Sequence, residues 1–121
     1  MSRRTQRLNV QLREEISEIM LYHLRDPRLA AGMISITRVD VSPDLENADV
    51  HVSVMDEPEE KVSTIQALTH AEPFLRKELL HRMRIRRIPH LKFHLDESIA
   101  EAAHVLDLMK QVEKRETDEP L

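Results

Sequence analysis

Residues 67–95, ALTHAEPFLRKELLHRMRIRRIPHLKFHL, decide how this chain folds, because a helical, a basic and an extended pattern meet within them. Just upstream and into the stretch, Val62, Ile65, Leu68 and Thr69 fall at i, i+3 and i+4 spacings and predict a helix with one apolar face up to about residue 70. Pro73 stops that helix in the sequence reading. Its ring clashes with the Thr69 carbonyl, it has no N–H to donate, and it pushes Glu72 out of the α region. Helical periodicity resumes at once through Leu75, Leu79 and Met83, and proline suits the first turn of a new helix. The stretch therefore predicts two helices meeting at a fixed elbow, with Ala71, Glu72 and Pro73 at the corner.

On the second helix, Arg76, Lys77 and Arg84 gather beside the Leu75, Leu79 and Met83 stripe, and Arg87 joins them if the last turn persists. From 76 to 87, RKELLHRMRIRR holds six Lys or Arg against a single Glu. Such a patch on a rigid element has phosphate as its best-fitting partner. Pro89 then opens a strand with Leu91, Phe93 and Leu95 inward and His90, Lys92 and His94 outward.

Working outward, residues 4–24 read as a first helix with Leu8, Leu12, Ile16, Ile19 and Met20 on its apolar face. Arg3, Arg4, Arg7 and Arg13 precede or occupy its early turns. The helix macrodipole disfavours cations there by ~0.3–1 kcal/mol each, so their position suggests an external anion. Asp26-Pro27 ends the helix, and Arg28 to Gly32 connects it to a strand. In MISITRVDV, 33–41, Ile34 and Ile36 share one face and Val39 and Val41 take over, a change of phase that a bulge near Thr37 or Arg38 would absorb. Ser42-Pro43-Asp44 is a turn, after which Ala48, Val50, Val52 and Val54 alternate with Asp49, His51 and Ser53 as a half-wet strand. Asp96 or Ser98 caps a last helix with Ile99, Ala102, Ala103, Leu106 and Met109 in a stripe. From about Glu113 a short polar tail is expected to be disordered. The order is α-β-β-α-kink-α-β-α, an α+β domain with a three-stranded sheet and helices against one face.

At 121 residues there is room for one core, with residues 1–112 folded and 113–121 as the tail. No apolar run approaches the ~18 residues of a membrane span, and SRRTQRLN lacks a signal peptide's apolar stretch. A soluble, cytoplasmic chain is expected, and no surplus apolar stripe demands a dimer. The formal net charge of -4 argues against nucleic acid only until its distribution is considered. Residues 40–60 carry eight Asp or Glu and no Lys or Arg, and residues 96–121 carry eight acids against three bases. The positive charge is left to the first helix and the elbow, so acidic and basic faces are expected.

Several chemistries are excluded by composition. With one glycine the chain has no Walker loop, dinucleotide fingerprint or kinase loop, and with no cysteine it has neither thiol catalysis nor a zinc ribbon. The seven histidines lack a conventional ligand spacing, although His90 and His94 alternate on one strand face beside Asp96 as a formal ligand set, and Asp26, Asp44 and Asp96 sit at turns or caps rather than as acid–base pairs. No catalytic residue, metal or cofactor is assigned. Tyr22, Phe74 and Phe93 are the only aromatics, Phe74 fitting the core better than an exposed wedge, so base stacking on an aromatic sheet is not expected.

Collinear motifs sharpen this reading. Arg4 and Arg7, Asp26-Pro27-Arg28-Leu29, ITRVDVSPDLENADVHVSV at 36–54, the elbow at Ala71, RIRRIPHLKFHLDES at 84–98 and a terminal helix together resemble the ribosome-binding factor A family over about residues 3–112. The resemblance implies a KH-like fold of the second type, with a mixed three-stranded sheet and no GxxG loop. It implies a bacterial assembly factor that binds the precursor and free small ribosomal subunit and its rRNA, supports late maturation and rRNA 5′-end processing, and aids growth in the cold. Ribosomal proteins and an assembly GTPase are further implied partners. The family's Ala-x-Gly kink corresponds to Ala71-Glu72-Pro73, where proline forces a bend that glycine would merely permit. In the last helix, Ala102 and His104 stand where the family pattern suggests Gly and Arg, so His104 is not assigned an RNA contact. Arg3, Arg4, Arg7, Arg28, Arg76, Lys77, Arg84, Arg86 and Arg87 are the expected RNA-binding residues, acting on phosphate and leaving specificity to RNA shape. The alternative is a protein-interaction module with an acidic face and no direct RNA role.

Overall fold

The alternating run 48–55 becomes the centre of the sheet. A computed structural model describes residues 2–22, 33–55 and 58–118, in the order α1 (Arg3–Tyr22), β1 (Met33–Val41), β2 (Asn47–Met55), α2 (Pro58–Arg82), β3 (His90–Leu95) and α3 (Ser98–Asp118). The sheet order is β1-β2-β3, with β1 antiparallel and β3 parallel to β2, so the three-stranded sheet is mixed as expected. The turn at Asp26-Pro27 and the connector through Arg28 and Gly32 lie outside the described residues.

The β1 phase change is resolved by a bulge at Thr37. Ile36 pairs with Val52 and Arg38 with His51, which leaves Thr37 as the extra residue and turns Ile36, Val39 and Val41 all inward. Helix α1 anchors the irregular edge: Arg13 Nε donates to the Ile36 carbonyl at 3.2 Å, and Val41 N–H donates to Asn9 Oδ1 at 2.8 Å. Ala48, Val50, Val52 and Val54 on β2, and Leu91 and Phe93 on β3, complete the inner face of the sheet. Ser53, expected on the wet face, is buried instead, since β2 has a neighbour on both edges.

Leu12, Ile16 and Ile19 of α1 and Leu68, Leu75 and Leu79 of α2 close the core. Arg82 ties the two helices together, with Nη1 at 3.3 Å from Glu15 Oε2 and 3.3 Å from Glu18 Oε1.

Helix α2 differs from the expected pair of helices. Residues 58–82 stay helical through Pro73, and Glu72 keeps helical geometry. Two features allow it. Thr69 and Pro73 are both exposed, so water can satisfy the carbonyl that proline leaves without a donor. Glu72, meanwhile, is held to β3, its Oε1 accepting the Leu91 N–H at 3.3 Å. Thr64, Leu68, Leu75 and Leu79 keep one helical phase across Pro73. That phase overrides the expected upstream face: Val62 and Thr69 point to solvent while Thr64 and Ala67 are buried. Phe74 is likewise exposed rather than core.

From Glu101 to Lys114 every side chain of helix α3 is exposed, including Val105, Leu106, Leu108, Met109 and Val112, so the stripe through Ala102, Ala103, Leu106 and Met109 is surplus after all; the side chain of Ile99 lies outside the described residues. Its capping follows expectation, with Ser98 N–H donating to Asp96 Oδ1 at 2.9 Å. The helix continues through residues 113–118, where the sequence predicts a disordered tail.

Candidate nucleic-acid interface

Two short basic segments far apart in the chain reach the same place. The first is the opening of α1, where Ser2 caps the helix, its Oγ accepting the Thr5 N–H at 3.1 Å and the Gln6 N–H donating to its carbonyl. This cap fixes the first turns, which contain no acid, and aims Arg3, Arg4 and Arg7 outward. The second is the connector between α2 and β3. Met83, Ile88 and Pro89 are buried, and they pin the intervening Arg84, Arg86 and Arg87 at the surface. Arg84 therefore sits on an anchored connector, not on the last turn of a helix as expected.

These six arginines line one groove of about 770 Å³, whose remaining wall is the β1–β2 turn with Asp44, Leu45 and Glu46. Among the described residues no carboxylate lies within ion-pair distance of Arg3, Arg4, Arg7, Arg84 or Arg86, and Arg87 has only Glu46 at 4.0 Å. The N-terminus of α1 adds its partial positive charge to the same groove. Clustered guanidiniums without counter-ions repel one another, and a polyanion relieves that repulsion. Asp44 stays ionised in the groove, since hydrogen bonds from the Ser42 hydroxyl and the Glu46 N–H hold its carboxyl below the usual range.

Other expected RNA-binding residues stand apart. Arg76 is half-buried beside the groove and is engaged by the fold: its Nη2 donates to the Ile88 carbonyl at 3.1 Å and its Nε is 3.4 Å from Glu72 Oε1. With Glu72 it clamps α2 to the entrance of β3. Lys77 is exposed but outside the groove, and Arg28 lies outside the described residues. Arg82 is taken up by α1; burial opposes its charge, but the hydrogen bonds and ion pairs with Glu18 and Glu15 outweigh that and raise its pKa. Ala71, Glu72 and Pro73 lie within α2.

Sequence reasoning did not find the groove's apolar floor. Leu8, Leu45 and Ile85 are each half-buried, packing on the core from one side, and buried Pro89 lies beside them. The interleaving of Ile85, Ile88 and Pro89 with arginines was the one available signal.

The open face of the sheet carries a separate polar network. The His51 and His94 rings stack at 5.4 Å, His94 Nε2 is 2.8 Å from Asp49 Oδ1, and Arg38 Nε donates to Asp40 Oδ2 at 2.7 Å. His90 belongs to neither, and among the described residues no group of His, Asp and Glu has a metal-binding arrangement.

The family model for ribosome-binding factor A matches residues 4–109. The ribosome-binding factor A of Synechocystis sp. is 40% identical over 111 residues, covering 92% of this chain and 84% of that protein. The crystal structure of ribosome-binding factor A from Thermus thermophilus superposes with a TM-score of 0.66 at 32% identity, covering 75% of this chain and 93% of that one. Coordinates of the Thermus thermophilus factor fitted into a cryo-EM map of its complex with the 30S subunit superpose with a TM-score of 0.61 at 31% identity, covering 74% and 91%.

Proposed function

Because the chain belongs to the ribosome-binding factor A family, we propose that it is a non-catalytic assembly factor whose six-arginine groove holds rRNA phosphates of the small ribosomal subunit. The observation that carries this reading is the convergence of Arg3, Arg4, Arg7, Arg84, Arg86 and Arg87 on one groove, five of them without an acidic partner among the described residues. Phosphate contacts set position without reading sequence, so selectivity for the subunit comes from the folded shape of its RNA. The relative seen in a 30S complex supports the same partner.

Binding biases which RNA conformation is populated, and separate nucleases then act on it. In this reading the protein works in the cytoplasm as a monomer, on the precursor and free subunit. It supports late maturation and 5′-end processing, and with them growth in the cold. Ribosomal proteins meet its acidic surfaces, and an assembly GTPase is a further partner. Among the described residues no helix is long and apolar enough to cross a membrane.

The test is co-sedimentation with small subunits at low and moderate salt. Both Arg84 and Arg87 are exposed on an anchored connector, so Arg84→Glu with Arg87→Glu leaves the fold intact and abolishes pelleting. Undiminished pelleting of the folded double variant would overturn the reading in favour of a protein-interaction module.

A further inference from the structure

The groove contains more than phosphate binding requires. A site for phosphates alone needs cations, yet this one has an apolar floor of Leu8, Leu45, Ile85 and Pro89, drawn from α1, the β1–β2 turn and the α2–β3 connector. Leu45 is the telling residue. It has φ 62°, the only non-glycine residue with positive φ among those described. That region favours glycine or asparagine, and a leucine there is strained. The turn is otherwise ordinary, with Leu45 N–H donating to the Ser42 carbonyl at 2.9 Å, so glycine would satisfy its backbone better. What the leucine adds is a half-buried side chain that packs on the core from one side and lines the groove with the other.

The same wall carries Asp44 and Glu46. An ionised Asp44 repels a phosphate, but it accepts hydrogen bonds from the amino and imino groups of a base. The groove, about 770 Å³, falls within the ~300–1,000 Å³ typical of clefts that enclose small ligands, which leaves room for a single nucleotide at its floor. Guanidinium planes at the rim can also stack on a base where aromatic rings are absent.

We propose that the groove takes an unpaired nucleotide of single-stranded RNA, with its base on the floor of Leu8, Leu45, Ile85 and Pro89 and its phosphates under the arginine rim. This rests on the rRNA-binding reading above and narrows its ligand to unpaired RNA. Duplex regions of the subunit then contribute only surface contacts.

Fluorescence anisotropy of the full chain with three labelled RNAs tests it: a six-nucleotide single strand, an abasic strand with the same number of phosphates, and a blunt duplex of six base pairs. The base-bearing strand is expected to bind on the order of tenfold more tightly than the abasic one, and more tightly than the duplex. Leu45→Gly, whose backbone is suited to the turn, is expected to fold and to erase the gap between the base-bearing and abasic strands without altering charge. Equal binding of those two strands, or a gap that survives Leu45→Gly, would overturn the base slot. If that equal binding is also steeply salt-dependent and lost in the Arg84→Glu, Arg87→Glu variant, the phosphate site stands and only the slot falls. If no RNA binds, both fall.

Discussion

Asp96 shows how one residue joins three elements. Its Oδ2 accepts from the Thr37 hydroxyl at the β1 bulge, its Oδ1 accepts the Ser98 N–H that starts α3, and its own N–H donates to the Val52 carbonyl at 2.7 Å. The Ser98 and Thr37 hydrogen bonds favour the charged form and hold its carboxyl at about 2, below the usual 3.8. A folded-state pKa below the unfolded one means that the unfolded chain binds more protons, so this stabilisation is present above about pH 4 and is lost as pH falls towards 2. Urea midpoints measured across that range should fall less steeply for Asp96→Asn than for the native chain. An identical pH profile would show that the cap does not differ between folded and unfolded states. The bulge that Asp96 braces was legible in the sequence, because the switch from Ile34 and Ile36 to Val39 and Val41 can bury one face only if a residue is added. The positive φ of Leu45 was not, since nothing in Ser-Pro-Asp-Leu-Glu demands it.

At the scale of elements, α2 separates what local chemistry favours from what packing permits. Pro73 reads as a stop, and in an isolated helix it would be one. Here the helix is held on both sides of the proline by Leu68, Leu75 and Leu79 in the core, and by Glu72 and Arg76 against the start of β3. Tertiary anchoring outweighs the missing hydrogen bond, which costs up to about 3 kcal/mol in a helix interior. Pro73→Ala restores the donor to the Thr69 carbonyl and should raise the unfolding free energy by up to about 3 kcal/mol, read as a higher urea midpoint. A lowered midpoint would show that α2 is bent to fit the sheet and that alanine cannot hold the bend. The upstream face departs from expectation for the same reason: of Val62, Ile65, Leu68 and Thr69, Leu68 is buried and Ile65 packs on the core, but Val62 and Thr69 are exposed, because the phase of Leu75 and Leu79 buries the smaller Thr64 and Ala67 instead.

Helix α3 makes the opposite point. Its stripe reads as core, but the sheet face is already covered by α1 and the longer α2, and the side chains of α3 from Glu101 to Lys114 remain exposed. A chain ending after Ala100 keeps Asp96, Glu97 and the core intact. It should therefore unfold at a urea midpoint close to that of the full chain, while its far-UV helical signal drops. A large loss of stability would mean that α3 packs on the domain in solution.

Over the whole molecule, charge is separated rather than balanced. Basic α1 and the α2–β3 connector lie next to each other only because the sheet brings residue 4 and residue 87 to the same edge of the fold. The sequence supplied both segments and the phosphate chemistry, and collinear motifs indicated the fold. It could not say that Arg82 would be drawn into holding α1 to α2, or Arg76 into holding α2 to the entrance of β3, because Glu15, Glu18 and the Ile88 carbonyl come within reach only once those faces meet. The groove's arginines carry the charge that remains for a partner, with an apolar floor that no spacing rule announces.

The most direct measurement of that central claim is the salt dependence of small-subunit RNA binding by the native chain and by Arg4→Ala with Arg84→Ala, from about 50 to 200 mM salt. If the groove arginines contact phosphates, log affinity falls linearly with log salt at about 0.7 per contact for single strands, and removing two contacts flattens the slope by roughly 1.4. A slope that is near zero for the native chain, or unchanged in the double variant, would contradict the account.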